Sequence, residues 1–169
     1  RPDLIQALMI VEASPSREPG VQQNVRRWLE AWPLPFRDLD EAQKFFGEGT
    51  LRGQTYAASL DRRDDGYYDV PFDLENMVQT MEDVETRDYW DDWEKLVHPT
   101  LIVTGEKGYV PSEDIENMLQ IVPHCTHTCI PKAGHDLHLE KPEAWRQVVE
   151  TFMQTLPPSR YSNGFYKPS

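Results

Sequence analysis

The sequence H-C-T-H-T-C-I-P-K-A-G-H-D-L-H-L-E-K-P (residues 124–142) encodes a short strand, a tight turn and a loop that carries a histidine. Residues 126–130 are rich in β-branched side chains, which predicts a strand. The turn 132–134 ends in a glycine and leads into His135, and Pro142 is a favoured first residue of a helix. His135 is therefore expected just beyond the carboxyl end of a strand, ahead of the last helix.

Two more strands are predicted around this segment. Leu4–Val11 is almost continuously apolar, which is typical of a parallel strand covered on both faces, and Thr100–Gly105 is β-branched and ends in glycine. Their order with the predicted helices indicates an α/β fold with right-handed crossovers. A strand as apolar as the first is not expected to open a stand-alone domain. Functional residues of such sheets lie beyond the carboxyl ends of the strands, where this chain has Glu12, Glu106 and His135.

Between the first two of these strands the sequence changes to short helical segments. Caps and apolar spacing predict five of them, separated by proline and glycine and by a turn at Asp64-Asp65-Gly66. They are a helix from Val21 to Trp32, one capped by Asp40, one capped by Thr50, one capped by Asp73 and one containing Trp90 and Trp93. A sixth helix, capped by Ser112, follows the strand that ends at Gly105.

We therefore divide the chain into four parts. Residues 1–15 form a core strand, 16–97 a helical insertion, 98–156 the rest of the core, and 157–169 a tail that docks through its aromatics or stays disordered. Those aromatics are Tyr161, Phe165 and Tyr166.

Composition excludes several classes of partner. The formal charge of −12, from 29 acidic and 17 basic residues, offers little to pair with the phosphates of nucleic acid or of an anionic membrane. No apolar run approaches the roughly 20 residues of a membrane helix.

Cys125 and Cys129 are too close in sequence to close a useful disulfide loop, so we expect free thiols and a cytoplasmic protein. The sequence has neither H-E-x-x-H nor paired C-x-x-C motifs, so neither a metal nor a cofactor is expected.

The order of these segments resembles the second half of an α/β-hydrolase with a helical cap. The resemblance rests on V-E-A-S-P (residues 11–15), P-T-L-I-V-T-G-E-K-G (99–108) and I-P-K-A-G-H-D-L-H-L-E-K-P-E-A-W (130–145). It implies that residues 1–15 correspond to the sixth strand of the hydrolase sheet and that the helical insertion is the cap.

The resemblance also implies roles for a histidine and a carboxylate. His135 stands where the family has the histidine that takes a proton from the nucleophile, while an acid holds its ring. Many members carry that acid in G-x-x-D-x-x-x-P after the seventh strand, but residues 105–111 read G-E-K-G-Y-V-P. Other members place it directly after the sixth strand, which favours Glu12, with Glu106 and Asp114 as alternatives. His138 is a further candidate for touching substrate, whereas His98, His124 and His127 are expected at the surface or at strand edges.

The nucleophile of this family lies on a G-x-S-x-G elbow, and no serine of the chain has both glycines. Because the elbow precedes the sixth strand in the family, we expect the nucleophile and the oxyanion-hole donors upstream of Arg1. The expected partner is an amino-terminal hydrolase half, either a separate chain or a cleaved piece. On its own, this chain is expected to be inactive.

The resemblance leaves the substrate and the reaction open. With a serine nucleophile, the chain would be the carboxyl-terminal part of an esterase or lactonase that acts on a small apolar acyl substrate. With aspartate in that place, it would resemble dehalogenases or epoxide hydrolases. The alternative is a non-catalytic module that binds a small molecule in an apolar pocket of the cap, lined by Trp28, Trp32, Phe36 and Tyr56.

Overall fold

The structure is a computed structural model that describes residues 4–157. The secondary-structure elements of this part of the chain are, in order, β1 (Leu8–Val11), α1 (Val21–Glu30), α2 (Leu39–Gly47), α3 (Leu51–Ala58), β2 (Asp61–Arg62), β3 (Tyr68–Asp69), α4 (Leu74–Gln79), α5 (Glu82–Thr86), α6 (Trp90–Trp93), β4 (Thr100–Gly105), α7 (Ser112–Ile121), β5 (Cys125–Ile130), α8 (Leu137–Glu140) and α9 (Pro142–Thr155). The predicted tail aromatics Tyr161, Phe165 and Tyr166 lie outside the described residues.

The chain divides into two compact units. One consists of the described residues up to Ser14 and from Asp91 onward, and the other of Pro15–Trp90. Within residues 4–157, no helix combines the length and the apolar character needed to cross a bilayer.

The first unit is built on a parallel sheet of order β1-β4-β5. Leu8 lies opposite Thr100 on β4, and Thr100 lies opposite Cys125 on β5. The predicted α/β class with a parallel sheet is confirmed. Because the strands are parallel, their carboxyl ends meet at one edge, and the residues that follow them come together there.

Apolar side chains of β4 and β5 form the core of this unit. Leu101, Val103 and Ile130 pack with Leu137 of α8 and Phe152 of α9. Full burial of one such side chain contributes roughly 1.5–3 kcal/mol. On the α7 helix, Ile115 and Met118 are also buried, and the indole of Trp93 donates to the carbonyl of Met118 at 3.0 Å. Helices α7, α8 and α9 thus contribute buried side chains to this unit.

The second unit contains α1 to α5 and the hairpin of β2 and β3. Its core consists of Phe36, Ala42, Ala57 and Leu60. An Arg26–Glu75 pair links α1 to α4 through two hydrogen bonds of 2.5 and 2.6 Å. This unit corresponds to most of the predicted helical insertion.

Three local predictions differ from the structure. β1 begins at Leu8 and not at Leu4, because Leu4 and Ile5 are 59% and 43% exposed and pairing with β4 starts at Leu8. The cap of α2 is Asp38, whose extended backbone lets its carboxylate accept from the amide of Glu41 at 2.8 Å, whereas Asp40 already lies in the first turn. Ser112 begins α7 without capping it through its side chain.

Other local predictions are confirmed. Thr50 and Asp73 cap α3 and α4 through their side chains, and Pro142 is the first residue of α9. The sequence pattern did not indicate α5, α8 or the hairpin strands that flank the turn at Asp64-Asp65-Gly66, because these elements are too short to show a period.

Candidate active site

The chain turns sharply at Glu12, immediately after β1. Its φ of 47° lies in the left-handed region, which costs a residue with a side chain about 1–2 kcal/mol. Its amide still donates to the carbonyl of Val103 at 3.0 Å, so the residue stays attached to β4. Strain of this kind at the edge of a parallel sheet is a feature of functional positions.

The Glu12 side chain is buried and hydrogen-bonded. Its Oε1 accepts from the amide of Gly105 at 2.6 Å, and its Oε2 accepts from the amide of Tyr109 at 3.3 Å. The residue is 3% exposed. A carboxylate removed from water requires such donors, and two backbone amides fix the orientation of its plane.

His135 lies on the loop between β5 and α8. The carboxylate of Glu140 accepts from the amide of Gly134 at 2.9 Å, and the His135 carbonyl accepts from the amide of Leu137 at 3.0 Å. A Cβ at position 134 would lie 2.9 Å from a Glu140 oxygen, so a glycine there permits this approach. The His135 side chain is 53% exposed and so remains accessible.

The structure brings Glu12 and His135 together. Nδ1 of His135 lies 3.8 Å from Oε2 of Glu12, which is longer than a hydrogen bond and within range of a charge pair. On its other side, Nε2 lies 3.2 Å from the hydroxyl of Tyr109. The two rings are stacked, with centroids 4.6 Å apart. The imidazole thus has a buried acid on one nitrogen and a hydroxyl on the other.

Gly108 explains why the G-x-x-D pattern is broken here. It stands three residues after Gly105, the position at which that pattern has aspartate. A Cβ at position 108 would overlap both carboxylate oxygens of Glu12. The Glu12 carboxylate, directly after β1, and a side chain at position 108 would therefore compete for the same space.

The two alternative acids have other partners. Oε2 of Glu106 accepts from the amide of Lys132 at 2.7 Å, in the turn that leads to the histidine loop. Asp114 accepts from the hydroxyl of Ser14 at 2.6 Å. Glu106 thus links the loop after β4 to the turn before His135, and Asp114 links α7 to the segment after β1.

Neither Glu12 nor His135 has a described hydrogen bond or ion pair with another histidine. His138 and His124 are exposed, and Nε2 of His127 pairs with the hydroxyl of Thr104 at 2.8 Å. Partial desolvation lowers the pKa of His127 although this residue is exposed, and burial raises the pKa of the Cys125 thiol. Cys125 and Cys129 are both free thiols. Within residues 4–157, no group of three His, Cys, Asp or Glu side chains is arranged to hold a metal ion.

The aromatic side chains of the predicted helical insertion form a cluster within the second unit. Trp28 and Trp32 meet edge to face with centroids 4.9 Å apart, and Tyr56 lies 6.3 and 6.1 Å from them. Trp28 is 46% exposed, whereas Phe36 is fully buried. Phe36 therefore packs the core of that unit and cannot line an open pocket.

A cavity of about 590 Å³ lies between β5 and α9 in the first unit. Thr126 and Thr128 on the strand and Val148 and Phe152 on the helix line it. Glu12, Tyr109 and His135 are not among its lining residues. This cavity is therefore separate from the Glu12–His135 pair.

Sequence analysis proposed Glu12 and His135, which the structure brings close together, but did not single out Gly108 or Tyr109. Both lie in the loop after β4, at the same carboxyl edge as Glu12. The signal available was a glycine at the aspartate position of the pattern, followed directly by an aromatic residue with a hydroxyl.

Comparisons with known proteins agree with this architecture. The sequence model described as "Alpha/beta hydrolase family" matches residues 4–148. The sn-1-specific diacylglycerol lipase ABHD11 of Danio rerio is 26% identical over 167 residues, which cover 91% of this chain and 51% of that protein. The chain thus spans about half the length of the curated relative that it matches.

Solved structures share the fold at low sequence identity. E-2-(Acetamidomethylene)succinate hydrolase superposes with a TM-score of 0.77 at 18% identity, covering 90% of this chain and 59% of that one. An esterase from Mycobacterium tuberculosis gives 0.66 at 18% identity, covering 91% and 56%. At these identities the likeness concerns the fold alone.

Proposed function

The chain belongs to the alpha/beta hydrolase family, and from this premise we propose that it supplies the base and the acid of a hydrolytic active site. The chain is the carboxyl-terminal part of an enzyme that hydrolyses an ester, lactone or related acyl bond. His135 is the general base and Glu12 the acid. The observation that carries this proposal is the 3.8 Å approach of His135 Nδ1 to the buried Glu12 carboxylate.

The chemistry follows from the two nitrogens of the imidazole. With Nδ1 protonated and directed at Glu12, Nε2 is free to accept the proton of a nucleophile's hydroxyl as its oxygen attacks the acyl carbon. Nε2 then returns that proton to the leaving oxygen, and an acyl-enzyme remains. Water repeats both steps and releases the acid. The Glu12 carboxylate stabilises the imidazolium that forms twice in each cycle.

The nucleophile is supplied by a segment outside this sequence. No serine among residues 1–169 lies within G-x-S-x-G, and the described hydrogen bonds of His135 include no serine. That segment is the expected partner of the unit that contains β1, β4 and β5, as a separate chain, a cleaved piece or a preceding stretch of the same polypeptide. It also supplies the oxyanion-hole donors.

We favour a serine nucleophile and acyl chemistry over an aspartate nucleophile. The names of the relatives support this choice, since they include a diacylglycerol lipase and esterases.

The test uses the native assembly that contains this chain. We expect this assembly to hydrolyse p-nitrophenyl esters and to take up a fluorophosphonate probe on a serine outside residues 1–169, while the chain alone does neither. Mass spectrometry of the labelled assembly locates the probe. Hydrolysis without labelling, together with ¹⁸O transfer from water into a carboxylate of the protein, would point to an aspartate nucleophile. An assembly without hydrolytic activity would contradict the proposal.

A further inference from the structure

The peptide group between Ala133 and Gly134, directly before His135, is held at both of its polar atoms. The carbonyl of Ala133 accepts from the amide of Lys107, in the loop after β4, at 2.8 Å. The amide of Gly134 donates to Oε2 of Glu140, on α8, at 2.9 Å. Because the carbonyl and the amide of a planar trans peptide group point in opposite directions, these two hydrogen bonds fix the group from two sides.

The imidazole of His135 depends on this backbone for its placement. Its side chain is 53% exposed, so side-chain packing alone cannot fix where the ring lies. Glycine is conformationally permissive, and the chain could enter His135 in many directions if the amide of Gly134 were not held. On the other side, the His135 carbonyl accepts from the amide of the fully buried Leu137 at 3.0 Å. The main chain is thus anchored before and after the ring.

Glu140 is itself well placed to hold the Gly134 amide. Its own amide donates to the carbonyl of Asp136 at 2.8 Å, and its side chain is half-buried. A Cβ at position 134 would lie 2.9 Å from Oε1 of Glu140, so the carboxylate lies directly against Gly134. A hydrogen bond to a carboxylate is stronger than one between neutral groups.

We propose that Glu140 is a positioning residue, whose carboxylate holds the Gly134 amide and thereby keeps Nδ1 of His135 facing the Glu12 carboxylate. The inference rests on the proposed function for the part that this pair plays in catalysis. Glu140 takes no proton in the reaction and acts through the backbone of the histidine loop. Without this hydrogen bond, the imidazole should leave the position in which Nδ1 lies 3.8 Å from Oε2 of Glu12.

The experiment compares the native assembly containing wild type, Glu140→Ala, Glu140→Gln or Glu143→Ala. Glutamine keeps an acceptor oxygen at the same reach, whereas alanine removes it. Glu143 is the matched control, because its side chain is 78% exposed and pairs with Arg146 at 3.0 Å. Hydrogen exchange at the Gly134 amide, followed by mass spectrometry, measures the hydrogen bond directly. The kcat and KM for p-nitrophenyl ester hydrolysis measure its effect on the base.

We expect the Gly134 amide to exchange at least about tenfold faster in Glu140→Ala, because its acceptor is gone. In the same variant kcat should fall by about 10–10²-fold with KM nearly unchanged, since a small misplacement of a catalytic group is costly while substrate contacts remain. Glu140→Gln should stay within a few-fold of wild type in both measurements, and Glu143→Ala should equal wild type. A residue that only stabilises the fold would not separate kcat from KM in this way.

A second readout needs no activity. In the assembly labelled with ¹⁵N-histidine, Glu12→Gln should shift the ring nitrogen resonances of His135, because the group facing Nδ1 loses its charge. In the Glu140→Ala background the same substitution should shift them much less, since the ring no longer faces residue 12. An equal shift in both backgrounds would overturn the inference, as would unchanged exchange at Gly134 in Glu140→Ala.

The two proposals fail in different ways. An assembly that hydrolyses esters through His135, with kcat unchanged in Glu140→Ala, would refute the positioning role of Glu140 alone. An assembly without hydrolytic activity would refute the proposed function. If such an assembly still showed faster exchange at Gly134 and a diminished response of the His135 ring in Glu140→Ala, Glu140 would remain the residue that places this ring.

Discussion

At the scale of single residues, the Glu12 carboxylate occupies space that a side chain at position 108 would need. Glu12 reaches from β1 to the amides of Gly105 and Tyr109, and the missing side chain at position 108 leaves room for its carboxylate. The extra methylene of glutamate supplies the reach. In this chain the carboxylate at this place comes from Glu12, directly after β1, and not from position 108.

Moving the acid tests this account. Glu12→Ala should lower kcat for ester hydrolysis by the native assembly, by about 10²–10⁴-fold, because nothing then stabilises the imidazolium. Adding Gly108→Asp should restore part of that loss, since the Cβ of residue 108 would lie against the place of the Glu12 oxygens and its carboxylate would be close by. Gly108→Asp alone should reduce activity, because two carboxylates would compete for one space. If the double variant is no more active than Glu12→Ala, an aspartate at position 108 does not replace the Glu12 carboxylate, and this account is wrong.

The sequence singled out Glu12 and His135 as candidate site residues, but not Gly108 or Tyr109. His135 and Glu12 were proposed because the histidine loop and the acid after an apolar strand resemble those of the family and are local in sequence. The roles of Gly108 and Tyr109 depend on contacts between the ends of β1, β4 and β5, which are more than 80 residues apart for β1 and β4. Spacing along the chain carries no information about such contacts.

At the scale of elements, helix caps decide where the short helices of the second unit begin. Asp38 accepts from the amide of Glu41, and this hydrogen bond is the main reason that the pKa of Asp38 lies below its ordinary value. A neighbouring aspartate, Asp40, lies one residue inside α2 and was the cap expected from sequence. Substituting each of these two aspartates therefore compares a residue that caps α2 with one that does not.

Asp38→Ala should lower the urea midpoint of unfolding at neutral pH, and Asp40→Ala should lower it much less. Because the folded pKa of Asp38 is depressed, its stabilisation is present above the unfolded pKa and is lost as pH falls through the folded pKa. The difference between wild type and Asp38→Ala should thus shrink below about pH 4. Equal effects of the two substitutions would show that the cap is misassigned.

Longer elements were predicted better than short ones. The apolar run of β4 and the proline start of α9 are strong local signals, and both elements were expected with correct types. The first four residues of the expected first strand, L-I-Q-A (4–7), are mostly apolar, as are those of β1. They stay outside the sheet because β4 offers no partner before Thr100. Strand limits depend on the neighbouring strand, which a local pattern does not show.

At the scale of the whole molecule, each of the two units has its own core. Phe36 is fully buried in the second unit, whereas Phe45, which contacts it with centroids 5.7 Å apart, is 46% exposed. Phe36→Ala should cost about 3–5 kcal/mol of unfolding free energy, and Phe45→Ala far less. Urea unfolding followed by tryptophan fluorescence measures both. A similar cost for the two substitutions would contradict the assignment of Phe36 to the core.

The central claim is that His135 is the base of a hydrolase whose nucleophile comes from outside this sequence. The most direct measurement is the kcat for p-nitrophenyl ester hydrolysis by the native assembly containing wild type, His135→Ala or His138→Ala. The account predicts a loss of at least about 10²–10⁴-fold in His135→Ala, with His138→Ala close to wild type. Undiminished hydrolysis by His135→Ala would contradict the account.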